Sequence, residues 1–222
     1  GMRREQQMQP TRLQRKPAED PIERLKACLG KTADVRSPKD AEEPILDASV
    51  RASLFQWMAE IRAADELKSV GVKPRTNALL LGPPGCGKTT LAHHFAARLG
   101  LPMVVVGSEH LIAGLLGASG QNVAKLFDGL AAAETPVVLF MDEVEAVGAS
   151  RSGRTGGQCD DEKNSALTVL LRKMEEFNVG YFMAATNLPD GIDPAFWRRF
   201  NMQIGIAPVS YTHLTLPTIY SV

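Results

Sequence analysis

Between residues 77 and 206, short runs of consecutive apolar residues alternate with longer stretches in which apolar positions recur every three or four residues. Five runs read as strands: Asn77–Leu81, Pro102–Val106, Pro136–Met141, Val179–Ala185 and Met202–Ile206. They are apolar at successive positions, the pattern of strands covered on both faces. The segments between them read as helices: Thr90–Leu99 closed by Gly100, a stretch around Val123–Phe127, and Ala166–Phe177. This alternation predicts an α/β fold, a five-stranded parallel sheet with helices on both faces. Upstream, Val50, Leu54, Trp57, Met58 and Ile61 follow helical spacing from Asp47 onward, so the folded domain is expected to cover about residues 45–208.

The two ends break the pattern. Residues 1–20 are rich in Gln, Arg and Pro, a composition that predicts disorder. Pro21–Gly30 predicts one short helix, with Pro in its first turn and Gly at its end, and residues 31–44 return to linker composition. Residues 1–44 are therefore expected to be a disordered or linker segment with one helix. At the other end, Val209–Thr218 has no helical period and no acidic or basic residue, and resembles the translation of a sequencing adapter. Residues 209–222 are read as non-native and excluded from the fold argument.

Composition narrows the function classes. The formal charge is zero, so no field of the whole molecule recruits nucleic acid or an anionic membrane. Arg3, Arg4, Arg12, Arg15 and Lys16 make a local basic arm, read as solvated. Cys28, Cys86 and Cys159 are odd in number and unpaired by spacing, which suits a reducing cytoplasm and neither a disulfide framework nor a zinc site. No apolar run approaches the roughly 18 residues of a membrane span.

The chemistry concentrates where strands end. After Ala78–Leu81 comes Gly82-Pro83-Pro84-Gly85-Cys86-Gly87-Lys88-Thr89, which fits G-x-x-x-x-G-K-[ST] between a strand and a helix. Such a loop turns its backbone N–H groups and the following helix N-terminus toward phosphate. Lys88 would reach the β- and γ-phosphates of a nucleotide, and Thr89 would ligate Mg²⁺. Asp142-Glu143 follows the third strand; the first acid can hold the metal shell and the second can polarise a water. Asn187 ends the fourth strand at the same sheet edge, where it can orient water or remain a turn residue. Asp193-Pro194 predicts a helix start running to Arg198-Arg199. His93-His94 reads as packing and surface, and Cys86 as a variable loop position.

Together these elements resemble the AAA family of ATPases, within the P-loop AAA+ class, over about residues 45–207. The resemblance implies ATP and Mg²⁺ as cofactors, with Gly82, Pro83, Pro84, Gly85, Cys86, Gly87, Lys88, Thr89, Thr90 and Asp142 binding nucleotide. Thr89 and Asp142 would serve the metal, Glu143 the base, Asn187 the sensor, and Arg198 and Arg199 the arginine fingers of a hexameric homo-oligomeric ring. It implies ATP hydrolysis coupled to remodelling or unfolding of a protein client. The chain departs from the family twice. Gly114-Leu115-Leu116-Gly117, at the place of the pore loop, lacks the usual aromatic, and the residues after Ile206 are too few for the helical lid. Arg151–Gln158 falls where a second pore loop is expected. Open alternatives are a nucleic-acid motor or clamp-loader-like protein, a nucleotide-dependent scaffold, and the ATPase portion of a membrane metalloprotease, although the sequence has no His-Glu-x-x-His.

Overall fold

The structure, a computed structural model, describes residues 20–113, 119–148 and 158–208. Its first elements are helix α1 (Pro21–Leu29), strand β1 (Asp34–Arg36), a 3-10 turn (Pro38–Asp40), α2 (Ala48–Arg62) and α3 (Ala64–Ser69). Then come β2 (Asn77–Leu81), α4 (Lys88–Arg98), β3 (Met103–Val106), α5 (Ser108–Ala113), α6 (Ser119–Ala133) and β4 (Val137–Met141). The remainder is α7 (Glu145–Gly148), α8 (Gln158–Glu176), β5 (Gly180–Thr186), a 3-10 turn (Pro189–Gly191), α9 (Pro194–Trp197) and β6 (Met202–Gly205).

One mixed sheet runs β1-β3-β4-β5-β2-β6. All neighbours are parallel except β1, which pairs antiparallel with the edge of β3, Val35 opposite Val104. The five expected strands appear within a residue or so of their predicted bounds, and β1 is a sixth. Residues 31–44, expected as linker, therefore carry an edge strand, and the packed body begins at α1. The reason is tertiary: Leu25 and Leu29 are buried in the core beside α6, and β1 is only three residues long, too short to show a period. The basic arm, the segments at Gly114–Gly117 and 149–157, and residues 209–222 lie outside the described residues.

Alternation along each strand divides the core. Leu79, Val137, Leu139, Met141, Phe182 and Ala184 face α1, α6 and α8. Ala78, Leu80, Val138, Phe140, Met183 and Ala185 face α2 and α4. Along β2, β3, β4 and β5 both faces meet an apolar layer, which explains their continuous apolar runs, whereas Gln203 and Gly205 of the edge strand β6 are exposed. Trp57 secures α2: it is fully buried, stacks on Phe95 of α4 at 4.3 Å between ring centroids, and its indole N–H donates to the Arg75 carbonyl at 2.8 Å. Each parallel strand thus delivers its carboxyl end to one sheet edge, where ligands bind such folds.

Candidate phosphate-binding site

The loop from Gly82 to Gly87 leaves β2 and enters α4 at Lys88. Gly87 is the N-cap residue, with φ of 86°, a left-handed conformation that an L side chain resists. No side chain caps this helix, which leaves its first-turn N–H groups available to an anion in the cleft.

Lys88 is buried, with 6% of its surface exposed. Its ammonium has three N–H bonds, and three oxygens take them: Gly82 O at 2.8 Å, Pro83 O at 2.9 Å and Asn187 Oδ1 at 2.7 Å. Cys86 Sγ lies 3.8 Å from the same nitrogen. Thr89 Oγ1 donates to Asp142 Oδ2 at 3.2 Å, joining the first turn of α4 to the end of β4. Asp142 is held in turn by its own N–H donating to Val106 O, and its Oδ1 accepts the Glu143 N–H at 2.9 Å. Glu143 has φ of 50°, a strained setting for a residue with a Cβ, of the kind that accumulates at functional sites. Its side chain is exposed, and Oε2 accepts a hydrogen bond from Ser108 Oγ at 2.7 Å.

Pro84, Gly85, Gly87, Lys88, Thr89, Thr90, Asp142, Glu143 and Asn187 line one cleft of about 360 Å³. The structure therefore brings together phosphate loop, both acids and the asparagine from three separate stretches of chain. Thr90 also lines an adjoining hollow of about 340 Å³ with Val35, Arg36, Asp40, Glu42 and His93. His93 is a packing residue, as expected, with Nε2 at 2.8 Å from Ser37 O.

Arg198 and Arg199 lie elsewhere. The Arg199 carbonyl accepts from Asn77 Nδ2 at 3.0 Å, and Asn77 is the first residue of β2, whereas the cleft follows its last. At about 3.3 Å per residue, β2 alone puts roughly 13 Å between them. Arg199 Nη2 pairs with Glu175 Oε1 at 2.6 Å, and Arg198 is exposed. Asp193 caps α9 as its sequence predicts, accepting from the Ala195 N–H at 2.8 Å.

Sequence reasoning overlooked two contributors: Ser108, which holds Glu143, and the β1 segment, which lines the adjoining hollow. Ser108 was within reach, being a polar residue just past a strand that ends at the same edge. The β1 segment carried no local signal.

Two oxygens at Thr89 and Asp142 suit Mg²⁺, which takes hard oxygen ligands and keeps phosphate and water in its shell. Among the described residues, no group of three or more His, Cys, Asp or Glu side chains is placed to hold a metal. Among them also, no helix is long and apolar enough to cross a membrane.

A family model described as "ATPase family associated with various cellular activities (AAA)" matches residues 78–208. Similar proteins include an uncharacterized AAA family ATPase of Sinorhizobium fredii, 38% identical over 71% of this chain and 46% of the relative. A proteasome-activating nucleotidase of Thermococcus onnurineus is 36% identical over 74% of this chain and 44% of its own. The ATP-dependent zinc metalloprotease FtsH 3 of Synechocystis sp. is 36% identical over 68% of this chain and 25% of its own. The chain thus spans less than half the length of these relatives.

Proposed function

The chain belongs to the AAA family of ATPases, and we propose that it binds ATP with Mg²⁺, hydrolyses it, and uses the cycle to remodel or unfold a protein client. The observation that carries the reading is the convergence of Lys88, Thr89, Asp142, Glu143 and Asn187 on one cleft. The α4 N-terminus and Lys88 bind the β- and γ-phosphates, Lys88 exchanging part of its present oxygen set for them. Thr89 and Asp142 hold Mg²⁺, which when bound neutralises phosphate charge. Glu143 turns from Ser108 and takes the proton of the attacking water on a carboxylate oxygen. Asn187 orients that water or reads the γ-phosphate. The hollow beyond Thr90 gives the nucleoside half its room, so β1 and the turn after it serve the site.

Because Arg198 and Arg199 stand at the far edge of the sheet, they serve a neighbouring protomer's nucleotide in a homo-oligomeric ring, six-membered by family resemblance. The names of the relatives, a proteasome-activating nucleotidase and a zinc metalloprotease, support a protein client over nucleic acid. The test is Glu143→Gln in the full-length protein. Loss of the base is expected to slow hydrolysis by about 10²-fold or more while nucleotide affinity is kept. Equal hydrolysis by wild type and variant would remove the enzymatic reading.

A further inference from the structure

Glu145 is the third acid of the run Asp142-Glu143-Val144-Glu145, and the proposed reaction leaves it without a task. Its Oε1 accepts the backbone N–H of Asn187 at 3.3 Å, across 42 residues of chain. Its Oε2 is buried and has no hydrogen-bond partner among the described residues. A solvated surface acid would show neither feature. A carboxylate oxygen buried without a partner, on a side chain that is itself half-buried, costs stability, so it calls for an explanation beyond packing.

The next residue back makes a parallel contact: the Val144 N–H donates to Ala185 O at 3.0 Å. The turn after β4 is thereby tied to the end of β5 at adjacent positions, once through backbone and once through the Glu145 side chain. Asn187 lies at the far end of this tie, with Oδ1 on Lys88 Nζ at 2.7 Å. Beyond it the chain turns outward, since Leu188 is exposed and enters a 3-10 turn. Glu145 is thus a side chain that holds the Asn187 peptide from the turn after β4.

We propose that Glu145 is a positioning residue: by accepting the Asn187 N–H it fixes the asparagine side chain toward the terminal phosphate, and so sets discrimination between nucleoside triphosphate and diphosphate. This rests on the reading that Lys88 and Asn187 face that phosphate. The role requires an acceptor at one distance and not a charge. Glu145→Gln keeps the acceptor and removes the charge; Glu145→Asp keeps the charge and withdraws the acceptor by roughly one C–C bond, about 1.5 Å.

The experiment is calorimetric titration of the full-length chain, in Mg²⁺, with ADP and with a non-hydrolysable ATP analogue. Glu145→Asp is expected to weaken analogue binding about five-fold, the scale of one hydrogen bond, while ADP binding changes less than about two-fold. Glu145→Gln is expected to match wild type for both. In an Asn187→Ala background, Glu145→Asp is expected to have no further effect on the ratio, which a merely structural role would not produce. An unchanged ratio in Glu145→Asp overturns the proposal. So does a Glu145→Gln defect equal to that of Glu145→Asp, or an effect that persists without the Asn187 side chain. Wild type binding neither nucleotide would overturn the phosphate-site reading beneath it instead.

Discussion

Replacing Lys88 by Met keeps the length and apolar stem of the side chain and removes its charge. In the unliganded site, all three ammonium N–H bonds are already engaged at 2.7–2.9 Å by Gly82, Pro83 and Asn187. Nucleotide binding therefore exchanges contacts and does not simply add them. The net gain is about one charge-assisted hydrogen bond, roughly 1.5–3 kcal/mol. That corresponds to about 10- to 150-fold in Kd. Stability without nucleotide is expected to change little. The variant loses those bonds, but it also escapes the desolvation of a buried ammonium, and of the released acceptors Asn187 lines a cleft that water can enter while Pro83 is an exposed residue. Calorimetric titration with a non-hydrolysable ATP analogue and Mg²⁺ reads the first quantity, and thermal melting reads the second. At an analogue concentration about 100 times the wild-type Kd, wild type gains roughly 2.7 kcal/mol of stability. A variant weakened about 50-fold gains only about 0.6 kcal/mol under the same conditions. If Lys88→Met bound the analogue within two-fold of wild type, Lys88 would be staying with the loop carbonyls, and its phosphate-binding role would be refuted.

Two further outcomes follow from the fold. Gly180 opens β5 at φ of 147°, and an added Cβ would lie 1.9 Å from Val137 O, a backbone atom that cannot rotate away. Gly180→Ala is expected to part the β4–β5 ladder there at about 2–4 kcal/mol, lowering the melting midpoint by roughly 4–16 °C; a midpoint within about one degree of wild type would contradict the packing described. His94 has its pKa lowered from the usual 6.5, chiefly by burial and then by Arg98, with Glu43 opposing. Below pH 6.5 the unfolded chain binds a proton that the folded chain resists, so stability is fully present above pH 6.5 and falls as pH drops from there toward the folded pKa. Denaturant melts between pH 5 and 7.5 are expected to show this slope, and His94→Gln to flatten it; an equal slope in the variant would assign it to other groups.

How far each element was legible depended on how local its cause is. Four of the five parallel strands, β2 to β5, are apolar on both faces, so consecutive apolar positions announce them without knowledge of their partners, whereas β6 alternates buried Met202 and Ile204 with exposed Gln203 and Gly205. Asp193 and Pro194 announce the start of α9 because a cap acts within three residues. The β1 segment has no such signal: Asp34, Val35 and Arg36 form a strand only because β3 offers an unpaired edge. Nothing in the sequence around Arg199 points to Glu175, which α8 brings beside it.

By itself the sequence determined the chemistry available, since a Gly-rich turn between strand and helix needs only its own backbone freedom to form a phosphate cradle. It also determined the sheet, through runs that must be buried on both sides. Tertiary structure alone decided which groups meet: Lys88 with Asn187 across 99 residues, Glu143 with Ser108 across 35, Glu145 with Asn187 across 42. The physical reason is that a parallel sheet delivers the ends of distant strands to one edge, and a hydrogen bond is felt only over about 3 Å. Chain composition carries no record of such proximity.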